Sequence, residues 1–147
     1  PGHPVWIPPF EWLGGNDSRY RLHLLSPQPA GKLHSQLDQT ELLQSEKVEG
    51  KEIILIHPDA AAKRNIEEGD IVRVFNDRGS CLAAARFEVG ILDEVVVLPT
   101  GAWFSGQGDG SLERNGNPNV LTRDKGTSSL AQGPSANTCL VEIEKIE

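Results

Sequence analysis

The apolar residues of this chain fall into short clusters separated by polar stretches rich in Gly and Pro. Residues 53–56 (Ile53, Ile54, Leu55, Ile56) form a continuous run rich in β-branched side chains. It is too short for an ordinary helix, so it predicts a buried strand. His57 precedes Pro58, which favours extended backbone at His57 and suits Pro58 to a first helical position. Ala60, Ala61, Ala62, Lys63 and Arg64 continue a short helix, with Asp59 at its positive end. Glu68-Gly69-Asp70 predicts a turn, residues 71–75 a strand, and Asn76-Asp77-Arg78-Gly79 a second turn. Residues 80–89 alternate, placing Cys81, Ala83, Ala85, Phe87 and Val89 on one face with Arg86 and Glu88 opposite. Residues 20–25 and 95–98 predict further strands, the second ended by Pro99. Residues 138–146 predict a half-exposed closing strand, with Cys139, Val141, Ile143 and Lys145 on one face and Leu140, Glu142 and Glu144 on the other.

The segments between these elements differ in character. Residues 1–19 hold Trp6, Phe10 and Trp12 among Pro4, Pro8 and Pro9, which predicts an extended lead-in linker ahead of a domain over residues 20–147. Residues 35–43 could form a helix capped by His34, and residues 38–50, charged around Leu42 and Leu43, predict a solvated helix or loop. Residues 100–137 are mostly Gly, Asn, Ser, Thr and Gln, with isolated anchors at Trp103, Phe104, Leu112, Val120, Leu121 and Leu130. A loop so long within a compact domain is uncommon unless it is functional or disordered. Its apolar anchors and non-repetitive sequence argue against simple disorder.

Composition narrows the function classes. The chain has 147 residues, enough for one domain with a real core. A net charge of −7 and a pI near 5.1 argue against general nucleic-acid binding. No apolar run approaches the length of a membrane helix, so no membrane insertion is expected. Cys81 and Cys139 lack a CxxC spacing and read as two buried thiols. The four histidines and two cysteines have no zinc-like spacing, and neither a Walker loop nor a G-x-S-x-G elbow is present. No residue reads as a catalytic group or a metal ligand. Asp59, Glu67, Glu68 and Asp70 read as turn and cap residues. With Pro1 at its start and no Met anywhere, the chain is expected to be a C-terminal piece of something longer.

Candidate chemistry lies in two loops. Residues 23–36 (HLLSPQPAGKLHSQ) leave a strand and gather hydroxyl, amide and imidazole groups around two prolines and a glycine. Such groups can hydrogen-bond a large polar ligand with little formal charge, although a surface loop meeting only water has the same composition. Residues 115–122 (NGNPNVLT) and 126–133 (GTSSLAQG) offer the same chemistry from the long loop. Gly116, Gly126 and Gly133 there allow close backbone approach. Arg114 and Arg123 lie nearby and read as exposed arginines rather than phosphate contacts.

The stretch "HP-x-x-A, short helix, E-G-D-x-V-x-V-x-N-x-R-G" resembles a double-psi β-barrel. The barrel it resembles closes the large subunit of molybdopterin-dependent oxidoreductases. The further motifs H-L-L-S-P-Q-P, L-H-S-Q, L-P-T-G-A-W, N-P-N-V-L-T and G-T-S-S-L-A-Q-G, with W-I-P-P-x-E-W-L-G before them, are similar to the dimethyl sulfoxide reductase family. Within it they look most like the biotin sulfoxide reductase and trimethylamine N-oxide reductase branch. The chain departs from the pattern at Leu92-Asp93-Glu94, where a Pro-Gly-like turn is expected, and at Asn115, where a histidine is expected.

The resemblance implies a mainly β fold with short helices, a six-stranded double-psi barrel with long polar loops. It also implies a bis-(molybdopterin guanine dinucleotide) cofactor with molybdenum, held mostly by upstream domains. Ser26, Gln28, His34, Ser35 and Gln36 would lie beside the pterin and pyrophosphate. Asn117, Asn119 and Gln132 would contact the pterin edges, and His23 is a further cofactor-binding candidate. The parent would reduce an S-oxide or N-oxide by oxygen-atom transfer, and this domain alone would be inactive. Its partners would be the parent's upstream domains and the cofactor, in a cytoplasmic setting, with the periplasm as the alternative. A different class is a stand-alone double-psi barrel acting as a protein- or peptide-binding adaptor. Relatives directed at formate or nitrate are a second enzyme alternative. Without cofactor, much of residues 100–137 is expected to be mobile.

Overall fold

A computed structural model describes residues 2–15, 19–106 and 112–146. Six strands close into a barrel in the order β1-β5-β2-β4-β3-β6: β1 Leu22–Leu25, β2 Ile53–Ile56, β3 Ile71–Asn76, β4 Gly79–Phe87, β5 Val95–Val97 and β6 Cys139–Lys145. β1 runs parallel to β5 and β2 parallel to β4, and the other pairs are antiparallel. Closure leaves no free sheet edge. The mainly β, six-stranded barrel with few short helices is the architecture that the strand pattern and the resemblance imply. Two short helices, α1 Glu41–Ser45 and α2 Pro58–Ala62, and a 3₁₀ turn at Pro118–Val120 complete the secondary structure of the described residues.

Period-two alternation fills the barrel. Leu22 and Leu24 of β1, Ile54 and Ile56 of β2, Val72 and Val74 of β3, and Val96 of β5 all face one core. Cys81, Ala83, Ala85, Cys139, Val141 and Ile143 join them from β4 and β6. Both thiols are free and buried, and burial raises the Cys139 thiol to about 11. α2 starts at Pro58 as expected, and the His57 ring accepts the Asp59 N–H to cap it. Asp70 accepts the Glu67 N–H and Glu68 the Phe87 N–H, so both acids serve the turn.

Four expectations need correction. The Cys81–Ala85 face does not continue outward, because β4 ends at Phe87, and Phe87 and Val89 are exposed while Ala84 is buried. The closing strand is not cleanly half-exposed, because Leu140 is buried like its neighbours Cys139 and Val141, at the end of β6 where its N–H donates to Glu11 of the lead-in segment. The helix that residues 35–43 could form is only α1, with Thr40 at its N-cap, so His34 caps nothing. The charged segment 38–50 is not simply solvated, since Asp38 is fully buried and the Lys47 head is almost so.

The lead-in segment lies against the barrel. Glu11 takes a two-pronged ion pair from Arg78 at 2.6 and 2.9 Å and also accepts the Leu140 N–H. Phe10 lies under the cations of Arg123 and Lys125, 4.4 and 4.2 Å from its ring centre. Trp6 and Trp12 meet edge to face, and Trp6 stays largely exposed.

Candidate functional site

All the loops that carry the candidate chemistry leave the barrel near β1, β5 and β6. After β1 the chain turns twice and forms a miniature hairpin in which Leu33 and Gln36 pair across His34-Ser35. His34 takes a left-handed backbone, φ 55°, in a turn position that favours glycine. Such backbone is uncommon outside Gly and concentrates at functional sites. After β5 the chain runs through Thr100 and Gly101 directly beneath this turn. A Cβ on Gly101, whose φ is 98°, would sit 2.2 Å from the His34 carbonyl oxygen. The close approach of the two loops therefore requires a glycine there.

Between these loops and the 3₁₀ turn opens a cleft of about 640 Å³. His34, Ser35, Thr100, Gly101, Ala102, Trp103, Phe104, Asn117 and Asn119 line it. Among the described residues its lining holds hydroxyls, amides, an imidazole and two aromatic rings, and no carboxylate. That is notable in a chain of net charge −7.

Three acids behind the cleft are buried with their partners inside the protein. Asp38, fully buried, pairs with Lys32 and Lys47 at 2.7 and 2.8 Å. Glu52 pairs with the same two lysines. Burial would raise the Asp38 carboxyl, but hydrogen bonds from Lys32, Lys47 and the Trp103 N–H outweigh it and hold it at about 2. Burial likewise works against the Lys32 ammonium, yet Asp38 and Glu52 raise its pKa on balance. Glu113, also fully buried, receives four backbone N–H groups, from Ser105 and Asn115 on one oxygen and Gly116 and Asn117 on the other.

The predicted residues divide by place. His34, Ser35, Asn117 and Asn119 come together in the cleft. Asn117 is half committed, because its amide donates to the Ala102 carbonyl and its oxygen accepts the Asn119 N–H. Gln28 donates to the Lys32 carbonyl and braces the loop behind the cleft. Gln36 closes the hairpin through its backbone N–H. His23 and Ser26 meet Asn137, whose carbonyl lies 2.9 Å from the His23 ring and whose side chain accepts the Ser26 N–H. The Ser26 hydroxyl is buried with no hydrogen-bond partner. Gln132, with φ 51°, belongs to a small closed loop in which the Thr127 N–H reaches the Gly133 carbonyl. It stands outside the cleft lining.

Sequence reasoning missed Asp38, Glu113, Trp103 as a pinned group, and Asn137. Glu113 carried a faint signal, an acid just ahead of a Gly turn in a loop rich in amides. Asn115 stands where the pattern expects histidine. Its side chain donates to the Trp103 carbonyl and its carbonyl accepts the Glu52 N–H, so it ties two loops together. Residues 107–111 of the long loop, and residues 1 and 16–18 of the lead-in segment, lie outside the described residues.

A closed β-barrel carrying a loop-built cleft at one end, lined among the described residues by hydroxyls, amides and rings, is suited to hydrogen-bonding a large polar ligand. The sequence model of the Molydopterin dinucleotide binding domain matches residues 22–140, and the chain belongs to that family. Among curated relatives it is 49% identical to biotin sulfoxide reductase of Cereibacter sphaeroides over 97% of the chain and 19% of the relative. It is 47% identical to trimethylamine-N-oxide reductase of Haemophilus influenzae, covering 98% of the chain and 18% of the relative. To dimethyl sulfoxide/trimethylamine N-oxide reductase of Rhodobacter capsulatus it is 42% identical, over 99% of the chain and 18% of the relative. The chain thus spans about a fifth of the length of these relatives. Acetylene hydratase from Pelobacter acetylenicus shares the fold, with a TM-score of 0.69 at 17% identity over 86% of this chain and 18% of that one. No helix of the described residues is long and apolar enough to cross a membrane.

Proposed function

We propose that this chain is the part of a larger molybdenum oxidoreductase that covers one side of a bis-(molybdopterin guanine dinucleotide) cofactor. The parent would reduce S-oxides or N-oxides by oxygen-atom transfer, with upstream domains supplying the molybdenum ligand and most of the cofactor contacts. The observation that carries this reading is the cleft itself, an opening whose described lining is polar and holds no carboxylate, in an acidic chain of the dinucleotide-binding family. A polyanionic ligand would be repelled by free acids. Here Asp38 and Glu52 are paired with lysines and Glu113 is saturated by backbone N–H groups, so none of these three presents a free carboxylate to the cleft.

The residues present fit such a group. The donors are neutral, as a pterin with many hydrogen-bonding edges and only local charge requires. The buried Ser26 hydroxyl is an orphan whose unmet hydrogen bond costs on the order of 1–3 kcal/mol until something meets it. His34, Ser35, Asn117 and Asn119 would hold the pterin and pyrophosphate from the cleft, with Ser26 and Gln28 from the loop behind it. His23, Gln36 and Gln132 are second-line contacts, because the first is turned to Asn137 and the others lie outside the lining. The cofactor, when bound, supplies the two-electron metal chemistry, and the protein's own residues bind and orient it. We place residues 1–19 as the lead-in linker and residues 20–147 as the domain.

An amide chemical-shift titration of the chain with molybdopterin guanine dinucleotide tests this. Shifts concentrated in residues 26–36 and 100–121 are expected. Absence of any shift at millimolar ligand, with the barrel folded, would overturn the reading.

A further inference from the structure

Trp103 is held by every polar group it owns. Its backbone N–H donates to the buried Asp38 carboxylate at 3.3 Å, and its carbonyl accepts the Asn115 amide at 2.8 Å. Its indole N–H donates to the Ser35 carbonyl at 2.7 Å. These contacts tie it to both walls of the cleft. Yet the residue is 53% exposed, and it lines the opening. A tryptophan normally buries its ring and leaves its N–H to find a partner at the rim. Here the polar edge is directed into the protein and the apolar ring is left bare beside hydroxyls and amides.

Fixing a large ring while leaving it exposed gives up side-chain freedom without the full gain of burial. The arrangement makes physical sense when something flat completes it. We infer that Trp103 is a binding residue of the cleft, a pre-set stacking platform for a planar fused heterocycle, the guanine or the pterin of the dinucleotide. This rests on the dinucleotide reading above. Stacking on an aromatic face accepts any such ring, while the neighbouring His34, Ser35 and Asn119 supply the directional hydrogen bonds. Because the ring is already pinned, the ligand does not have to order it on binding. Phe104 also lines the cleft and is exposed, but it has no polar atom to hold its ring direction.

The test compares the chain with Trp103→Phe and Trp103→Leu, each checked for native amide dispersion, in binding molybdopterin guanine dinucleotide. Trp103→Phe keeps a flat face and loses the bond to Ser35; Trp103→Leu keeps apolar bulk and loses the face. The inference expects Trp103→Leu to bind about tenfold more weakly and Trp103→Phe to stay within about threefold. It also expects ligand ring protons to move upfield in the parent chain and in Trp103→Phe, and not in Trp103→Leu. Competition by guanosine monophosphate assigns the platform to guanine; competition by pterin-6-carboxylate assigns it to the pterin. Equal affinity of all three chains, or no upfield movement in the parent chain, overturns the stacking role while leaving the dinucleotide reading intact. Failure of the parent chain to bind the dinucleotide overturns both.

Discussion

At the scale of single residues, the cleft depends on charges that never reach its surface. Asp38 shows this most directly. Its folded pKa of about 2 lies below the ordinary 3.8, so its contribution to stability is present above about pH 4 and is lost as pH falls toward 2. Lys32 behaves in the opposite sense. Its raised pKa gives stability that is present below its ordinary 10.5 and lost as pH rises through the folded value. Replacing one partner leaves uncompensated buried charge, so Asp38→Asn should destabilise the chain by about 3–5 kcal/mol at neutral pH. It should also flatten the acid limb of the melting temperature between pH 4 and 2. Thermal melts across that range check both effects, and a variant as stable as the parent at pH 7 would show that the Asp38 charge is dispensable.

At the scale of elements, strands and loops obey different rules. The strands follow from alternation and β-branched runs: β2 begins and ends where the aliphatic run does, and β3 extends its expected range by one residue. Boundaries slipped where tertiary contacts intervened, as at Leu140, whose N–H donates to Glu11 of the lead-in segment. The loop after β5 is organised instead by one side chain. Glu113 gathers amides from Ser105 and from the Asn115–Asn117 turn, and its own backbone pairs with Ser80 and Leu82 beside β4. Glu113→Gln keeps the size but places an NH₂ group against N–H donors. At least one amide loses its acceptor, at about 1–3 kcal/mol each. Hydrogen exchange should then speed up at Asn115, Gly116 and Asn117 while the barrel strands stay protected. Unchanged exchange at those three amides would show that the turn holds itself.

At the scale of the whole molecule, stability should be graded from the barrel outward. Strands whose N–H groups pair on both sides around a dry core open only with global unfolding. Residues 113–121 should share part of that protection through Glu113 and the buried Leu121, contrary to a uniformly mobile long loop. Residues 126–133 should exchange fast, since their bonds are local and Leu130 at the tip is 95% exposed. Exchange measured on the free chain separates these three levels, and equal protection of 113–121 and 126–133 would contradict the gradation.

The sequence by itself determined the strands, the start of α2 at Pro58, the buried thiols, and the two loops where polar chemistry concentrates. Each of these is written in neighbouring residues, as period, turn chemistry or composition. Its motifs also carried the family, because their order along the chain is a linear property. Only the tertiary structure decided which loop residues meet. Asp38, Lys47 and Glu52 are separated by other polar residues that look the same in sequence, and only closure of the barrel brings them together out of water. The same closure turned Asn117 partly inward, left Gln132 outside the cleft, and pinned Trp103 with its ring exposed. Burial and pairing are three-dimensional quantities, and a charge's role is set by what faces it rather than by what precedes it in the chain.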